Sequence, residues 1–440
     1  MTLVDGFGAP VSHGNQADID RLTTAARLML GYAPDPVTLT KELIDEAPDF
    51  VMARCFLCGM LLVASDKRKQ PILAEEFGKL SAIASNANGR ERGHIRAIGL
   101  WLDGRFYEAS QAYADILCDF PRDLIALLFG HQTDFLLGHV SSTRDRPARV
   151  RQHWSDADED YSFVLGMQAF GLEEAGHYRE AEDLALRAVT LNPRDTWSVH
   201  ALAHCYEMQG KTEAGISFME RCEDMWGGKN YLSIHNRWHL CLYHIENCEF
   251  DRALQLHDRY MRVKPGSVLM DGHDSVALLW RLQLDGLNCG DRWEPTASLY
   301  EEVVDQAYMS FTDMHAMFAF MATGREGHAK RLLEVLEQNL SGPTTSSLVI
   351  RAAGLPIMKG IYAFGHGDYA AAKDLIGGYR HNAHLFGGSV AQRDVLNLTL
   401  LAAASRSGDQ AMVDALIAER TLVRPHTPLT DFLVSSGGAR

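Results

Sequence analysis

Two short stretches concentrate the side chains that could do chemistry. The run "TWSVHALAHCYE" spaces Trp197, His200, His204 and Glu207 at steps of three and four, so a helix presents all four on one face. The run "SIHNRWH" adds His235, Trp238 and His239. Imidazoles at i and i+4 on a helix can bind one ion, which makes His200, His204, His235 and His239 candidate metal ligands and zinc the ion that this spacing suits. Neither pair carries the glutamate next to its first histidine that metallopeptidases use as a base, so peptidase chemistry is disfavoured. No cysteine falls in register to complete a thiolate set, and no motif calls for any other cofactor. An imidazole held by a carboxylate is also the arrangement of general acid–base catalysis, with Glu207, Asp274 or Asp313 as the holding group. His273 and His315 recur at an equivalent position further along, with Asp271, Asp274 and Asp313 close by in sequence. His131 and Asp134 share a helical face and form another candidate pair, for which a hydrogen bond between helices is the simpler use. Against all of these stands the structural alternative that buried polar groups satisfy one another.

Other motifs read as packing. "CFLC" has redox or zinc spacing at Cys55 and Cys58, but no second pair exists and Cys58 falls where two helices must cross closely. In "GGSVAQRDV", Ser389 and Gln392 are spaced as a capping box, and Arg393 and Asp394 are set to pair across hairpins. No phosphate-cradling loop, dinucleotide fingerprint or nucleophile elbow appears.

The elements that must position these residues are written in glycine and proline. "GRFYEASQAYADILCDFPRD" runs from Gly104 to Pro121 and "GHYREAEDLALRAVTLNPRD" from Gly176 to Pro193, the same 17-residue step. Gly176 and Gly210 are 34 apart, the tetratricopeptide period. In that register the crossing positions must be small. They fall on Cys58, Ala97, Ala169, Ala203 and Cys241 in first helices and on Ala109, Ala181, Gly215 and Ala253 in second helices. The pattern predicts an all-α, right-handed solenoid of tetratricopeptide-like helix hairpins over residues 1–424, clearest over 90–265, with a fraying tail over 425–440. Its first helices turn Trp197, His200, His204, Glu207, His235, Trp238 and His239 toward a concave groove.

The blocks "SFVLGMQAFGLEEAGHYREAEDLALRAVTLNPRDTWSVHALAHCYEMQGKTEAGISFM", "HNRWHLCLYHIENCEFDRAL", "DSVALLWRL" and "GGSVAQRDV" resemble, in this order, tetratricopeptide repeat protein 38 and its bacterial relatives. The resemblance covers roughly residues 90 to 400 and implies the repeat fold, without an activity or a catalytic residue.

Composition narrows the partners. A net charge of -15, from 42 basic against 57 acidic residues, argues against nucleic acid or anionic membrane, since phosphate binding needs a basic face. No leader is apparent, and the most apolar run, Phe56 to Ala64, is too short for a membrane span. Eight cysteines without a paired framework suit a reducing compartment, so a cytoplasmic location is expected. The function expected is a binding module that takes a small polar molecule or a peptide in its histidine- and tryptophan-lined groove. The alternatives are an enzyme with a groove histidine as general acid or base, metal-assisted or not, and a scaffold working through its outer face. Oligomeric state stays open.

Overall fold

Glycine decides where the hairpins turn. Gly104, Gly176 and Gly210 adopt φ of 74°, 82° and 67°, the left-handed conformation that ends a helix without a Cβ clash. Each therefore joins two helices: Gly89–Leu102 to Phe106–Asp119, Tyr161–Glu174 to Tyr178–Leu191, and Thr196–Met208 to Thr212–Arg221. Pro121 and Pro193 stand just beyond second helices that they could not continue. This computed structural model describes residues 3–424 and 427–436, and its architecture is all-α. The one sheet among the described residues is a two-stranded antiparallel hairpin that pairs Leu3–Val4 with Pro10–Val11. Strands of two residues are too short to leave a period-two signal in sequence.

The chain divides into two compact units, Met1–Leu202 with Met225–Leu232, and Ala203–Asp224 with Ser233–Arg440. In the first, the buried Arg90 lies between Asp5 at 2.8 Å and Asp123 at 2.6 Å, and His94 bonds Asp123 at 2.9 Å. Its small crossing residues Cys58, Ala97, Ala109, Ala169 and Ala181 are all fully buried. In the second unit Ala203, Cys241 and Ala253 are equally buried. A Cβ added to Gly215 would sit 2.4 Å from Cζ of Tyr243, whose hydroxyl donates to the Ala203 carbonyl at 2.6 Å. The close crossings read from the sequence are thus made. The capping box also forms, with Ser389 and Gln392 opening the helix Val390–Arg406. That helix is tied to Leu269–Leu284 by Trp280 Nε1, which donates to Thr399 Oγ1 at 3.0 Å.

Two expectations need correction. The chain does not fray after Arg424 over its described part: Pro428–Ser436 is a helix with Leu429 and Leu433 fully buried, because those two residues, one turn apart, give it an apolar face. And one helical stretch, Thr345–Gly365, is long and apolar enough to cross a membrane by length and composition, where the sequence shows no apolar run of that size. The tolerated Arg351 and Lys359 hid it, and 56% of its most apolar window is packed inside the protein, as for a core helix.

Candidate functional site

One buried centre of the second unit draws its side chains from three helices. His204 and Glu207 come from the C-terminal half of Thr196–Met208, His235, Trp238 and His239 from Ser233–Glu246, and Asp274 and Arg281 from Leu269–Leu284. The imidazoles of His204 and His239 lie 4.3 Å apart and those of His235 and His239 5.0 Å apart, while His235 stacks on Trp238 at 5.3 Å. One ligating nitrogen from each of His204, His235 and His239 lies within 4.8 Å of the other two. Each of two rings is held at Nδ1 by a carboxylate: His239 by Glu207 at 3.0 Å and His235 by Asp274 at 2.8 Å. Burial, reinforced by the neighbouring His204, His235, Arg424 and Arg281, pushes His239 well below the usual histidine range, so it is neutral at pH 7.

These side chains do not line an open groove. His204, His239 and Trp238 are 0% exposed and His235 is 6% exposed. The groove expectation is corrected here. Arg424 and Thr427 bond into the same network. Arg424 Nη2 donates to Glu207 at 2.8 Å and its Nη1 to Glu246 at 3.1 Å, and Thr427 donates to Glu246 at 2.7 Å. Arg420 bridges Glu246 at 2.5 Å and Asp394 at 3.1 Å. Burial alone would raise the Asp394 carboxyl, but Arg424, Arg420 and Arg281 outweigh it and hold the group below the usual carboxylate range. Arg281, brought down to about 10 by burial, lies 5.4 Å from the Trp238 ring and donates to the Ala391 carbonyl at 2.8 Å. A cavity of about 170 Å³ is walled by Asp394, Arg420 and Arg424 of this network and by apolar residues such as Leu398 and Leu401.

Several other predicted residues have partners of their own. In the first unit Trp197 packs against Phe170 at 4.8 Å and against His200 at 4.7 Å, and His131 meets Trp197 edge-on at 5.7 Å. The His131–Asp134 pair is not made. Asp134 instead takes two hydrogen bonds from Arg146, at 2.6 and 2.8 Å, because a guanidinium offers a buried carboxylate the charge that a neutral ring does not. His200 stacks on Phe170 at 5.5 Å within the first unit. In the second unit His273 and His315 form a separate pair at 4.8 Å, and His315 Nδ1 bonds the Phe311 carbonyl at 2.7 Å. Neither of them is held by Asp274, which serves His235, and Asp313 is buried on the His315 helix. Cys55 and Cys58 are buried, with the Cys58 thiol pushed up to about 12 by burial, consistent with packing and not with a reactive pair. Arg393 donates to the Gly387 and Gly388 carbonyls, and Asp394 pairs with Arg420 across hairpins.

Sequence reasoning missed Glu246, Arg281, Arg420 and Arg424. The one available signal was the i,i+4 spacing of Arg420 and Arg424, which puts two cations on one helical face. Fold and site together define an all-helical protein with a buried imidazole–carboxylate centre beneath an arginine–carboxylate network. No known protein-family model matches the chain.

Proposed function

We propose that this chain is a right-handed solenoid of tetratricopeptide-like hairpins, akin to the tetratricopeptide repeat protein 38 family, that binds a small polar molecule at its buried histidine centre. The observation that carries the binding reading is the pair of oriented imidazoles: His239 on Glu207 and His235 on Asp274, both out of water and side by side. Titratable groups gathered this densely are costly as packing and characteristic of working sites. A small ligand fits the burial better than a peptide does, and a separate cavity is walled by Asp394, Arg420 and Arg424 of the adjoining ion-pair network. The repeat reading is supported by the glycine-turned hairpins and the buried crossing residues, and a cytoplasmic setting by eight cysteines that form no disulfide.

A second reading, catalysis, is favoured by the same dyads, since a carboxylate that fixes the tautomer of an imidazole prepares it as a general base. Native mass spectrometry of the full chain tests the binding reading. A retained small molecule, released on denaturation and lost in His239→Gln, is expected. Its absence, together with no thermal shift across a panel of polar metabolites, would end the reading.

A further inference from the structure

The buried centre has three properties that packing does not require together. The first is convergence. The ligating nitrogens of His204, His235 and His239 lie within 4.8 Å of one another, and tetrahedral Zn–N bonds of ~2.0–2.1 Å bring such nitrogens to roughly 3.3 Å, so modest ring rotations close the set. The second is orientation. In His235 and His239 it is Nδ1 that bonds a carboxylate, which leaves Nε2 as the ligating atom and reproduces the carboxylate–histidine–metal arrangement of known centres.

The third is charge. Glu207 is answered by Arg424 at 2.8 Å. Asp274, 1% exposed, has His235 as its one ion-pair partner among the described residues, and its Oδ2 accepts no hydrogen bond. A buried carboxylate needs a positive charge nearby. A cation on Nε2 of His235 supplies it through the ring. The three histidines offer nitrogen donors, and Cys241, on the same helix as His235 and His239, directs its Sγ to the Ala253 carbonyl at 3.6 Å. Neutral imidazoles suit zinc and its first-row neighbours and exclude the oxygen-seeking magnesium and calcium.

We propose that His204, His235 and His239 hold a divalent first-row transition ion, zinc by ligand class, with Glu207 and Asp274 orienting two of the three imidazoles. Three protein nitrogens leave a fourth position for water or a polar ligand, the open geometry of a working centre. The inference rests on the reading above in that it takes the same cluster as the site. The competing arrangement is an imidazolium of His235 paired with Asp274 and no ion at all.

Full-length protein made without an affinity tag, stripped with a chelator and verified as folded by circular dichroism, is titrated with Co²⁺. Visible d–d bands that saturate near about one equivalent and vanish on adding Zn²⁺ are expected, as is zinc in the unstripped protein by elemental analysis. Asp274→Asn keeps all three ligands and should weaken binding roughly 10- to 100-fold, and His239→Gln should abolish the cobalt spectrum. Folded wild-type protein that takes up no cobalt overturns the proposal whether or not any variant folds. Uptake that His239→Gln leaves unchanged overturns it too, by putting the ion elsewhere. A small molecule retained by protein that binds no cobalt ends the metal and leaves the ligand reading standing. Cobalt bound at the three histidines with no small molecule ever retained ends the ligand reading and leaves the metal.

Discussion

A buried charge is a commitment that the rest of the fold must answer, and this protein makes several. Asp123 accepts from Arg90, His94 and the Ala126 amide at 2.6, 2.9 and 3.0 Å, all out of water. Arg90 and His94 hold its carboxyl well below the usual range in spite of burial, which acts the other way. Asp123→Ala would leave the Arg90 guanidinium with Asp5 alone and should cost about 3–5 kcal/mol. Asp115, whose pair with Arg96 is exposed on both sides, should change stability by less than about 1 kcal/mol when replaced by alanine. Urea midpoints of the two variants check this, and similar midpoints would show that the Arg90 cluster does not carry stability. The same logic governs the histidine centre. Because His204 and His239 are core residues, an alanine there loses packing and partners at once, so shape-conserving glutamine variants are the informative ones.

At the scale of elements, the hairpin crossings are the most legible feature of the sequence. Gly215 shows why. It lies on Thr212–Arg221 against Tyr243 of Ser233–Glu246, with no room for a methyl group. Gly215→Ala should therefore cost roughly 1–3 kcal/mol by overpacking. Gly78, exposed in the middle of Gln70–Ala82 with nothing within 4 Å of its missing Cβ, should gain roughly 0.5–1 kcal/mol as alanine. Opposite shifts in melting temperature are expected; two shifts of the same sign would mean that the crossing is not where it has been placed. Such positions are legible because they repeat with the helix pair, so a local period reveals them. The shared face of His235, Trp238 and His239 was legible for the same reason. Its burial was not, since that depends on Arg420, Arg424 and Thr427, more than 170 residues away from Glu246 along the chain. Nor was the partner of Asp134, because an arginine and a histidine within reach in sequence compete for it and only packing decides.

At the scale of the whole molecule, many histidines are folded in a neutral state, and this sets how stability depends on pH. Burial lowers His131 and His315 to about 3 and His257 to about 4, and drives His273 and His239 well below the ordinary value. In the unfolded chain each titrates near ~6.5. Below that pH the unfolded state binds protons that the folded state refuses, so the stability contributed above pH ~6.5 drains away as pH falls toward the folded values. Each group removes about 1.4 kcal/mol per pH unit, or about 2 kcal/mol between pH 6.5 and 5. The three with assigned values together remove about 6 kcal/mol, comparable with the entire stability of many domains. Three carboxyls act in the opposite sense, Asp5 among them, which burial raises. Asp195 and Asp271 are raised to about 6 by burial, so the folded state takes up their protons first and gains as pH falls from 6 toward 4. They are outnumbered, and the net charge of -15 at pH 7 offers further relief only as exposed carboxylates titrate, below most of this window. Calorimetric melting temperatures should hence fall steadily from pH 7 to pH 5, beginning near pH 6.5 and steepening as the histidines act together. A melting temperature that is flat or rising over that range would mean that the buried imidazoles do not set the pH dependence of this fold.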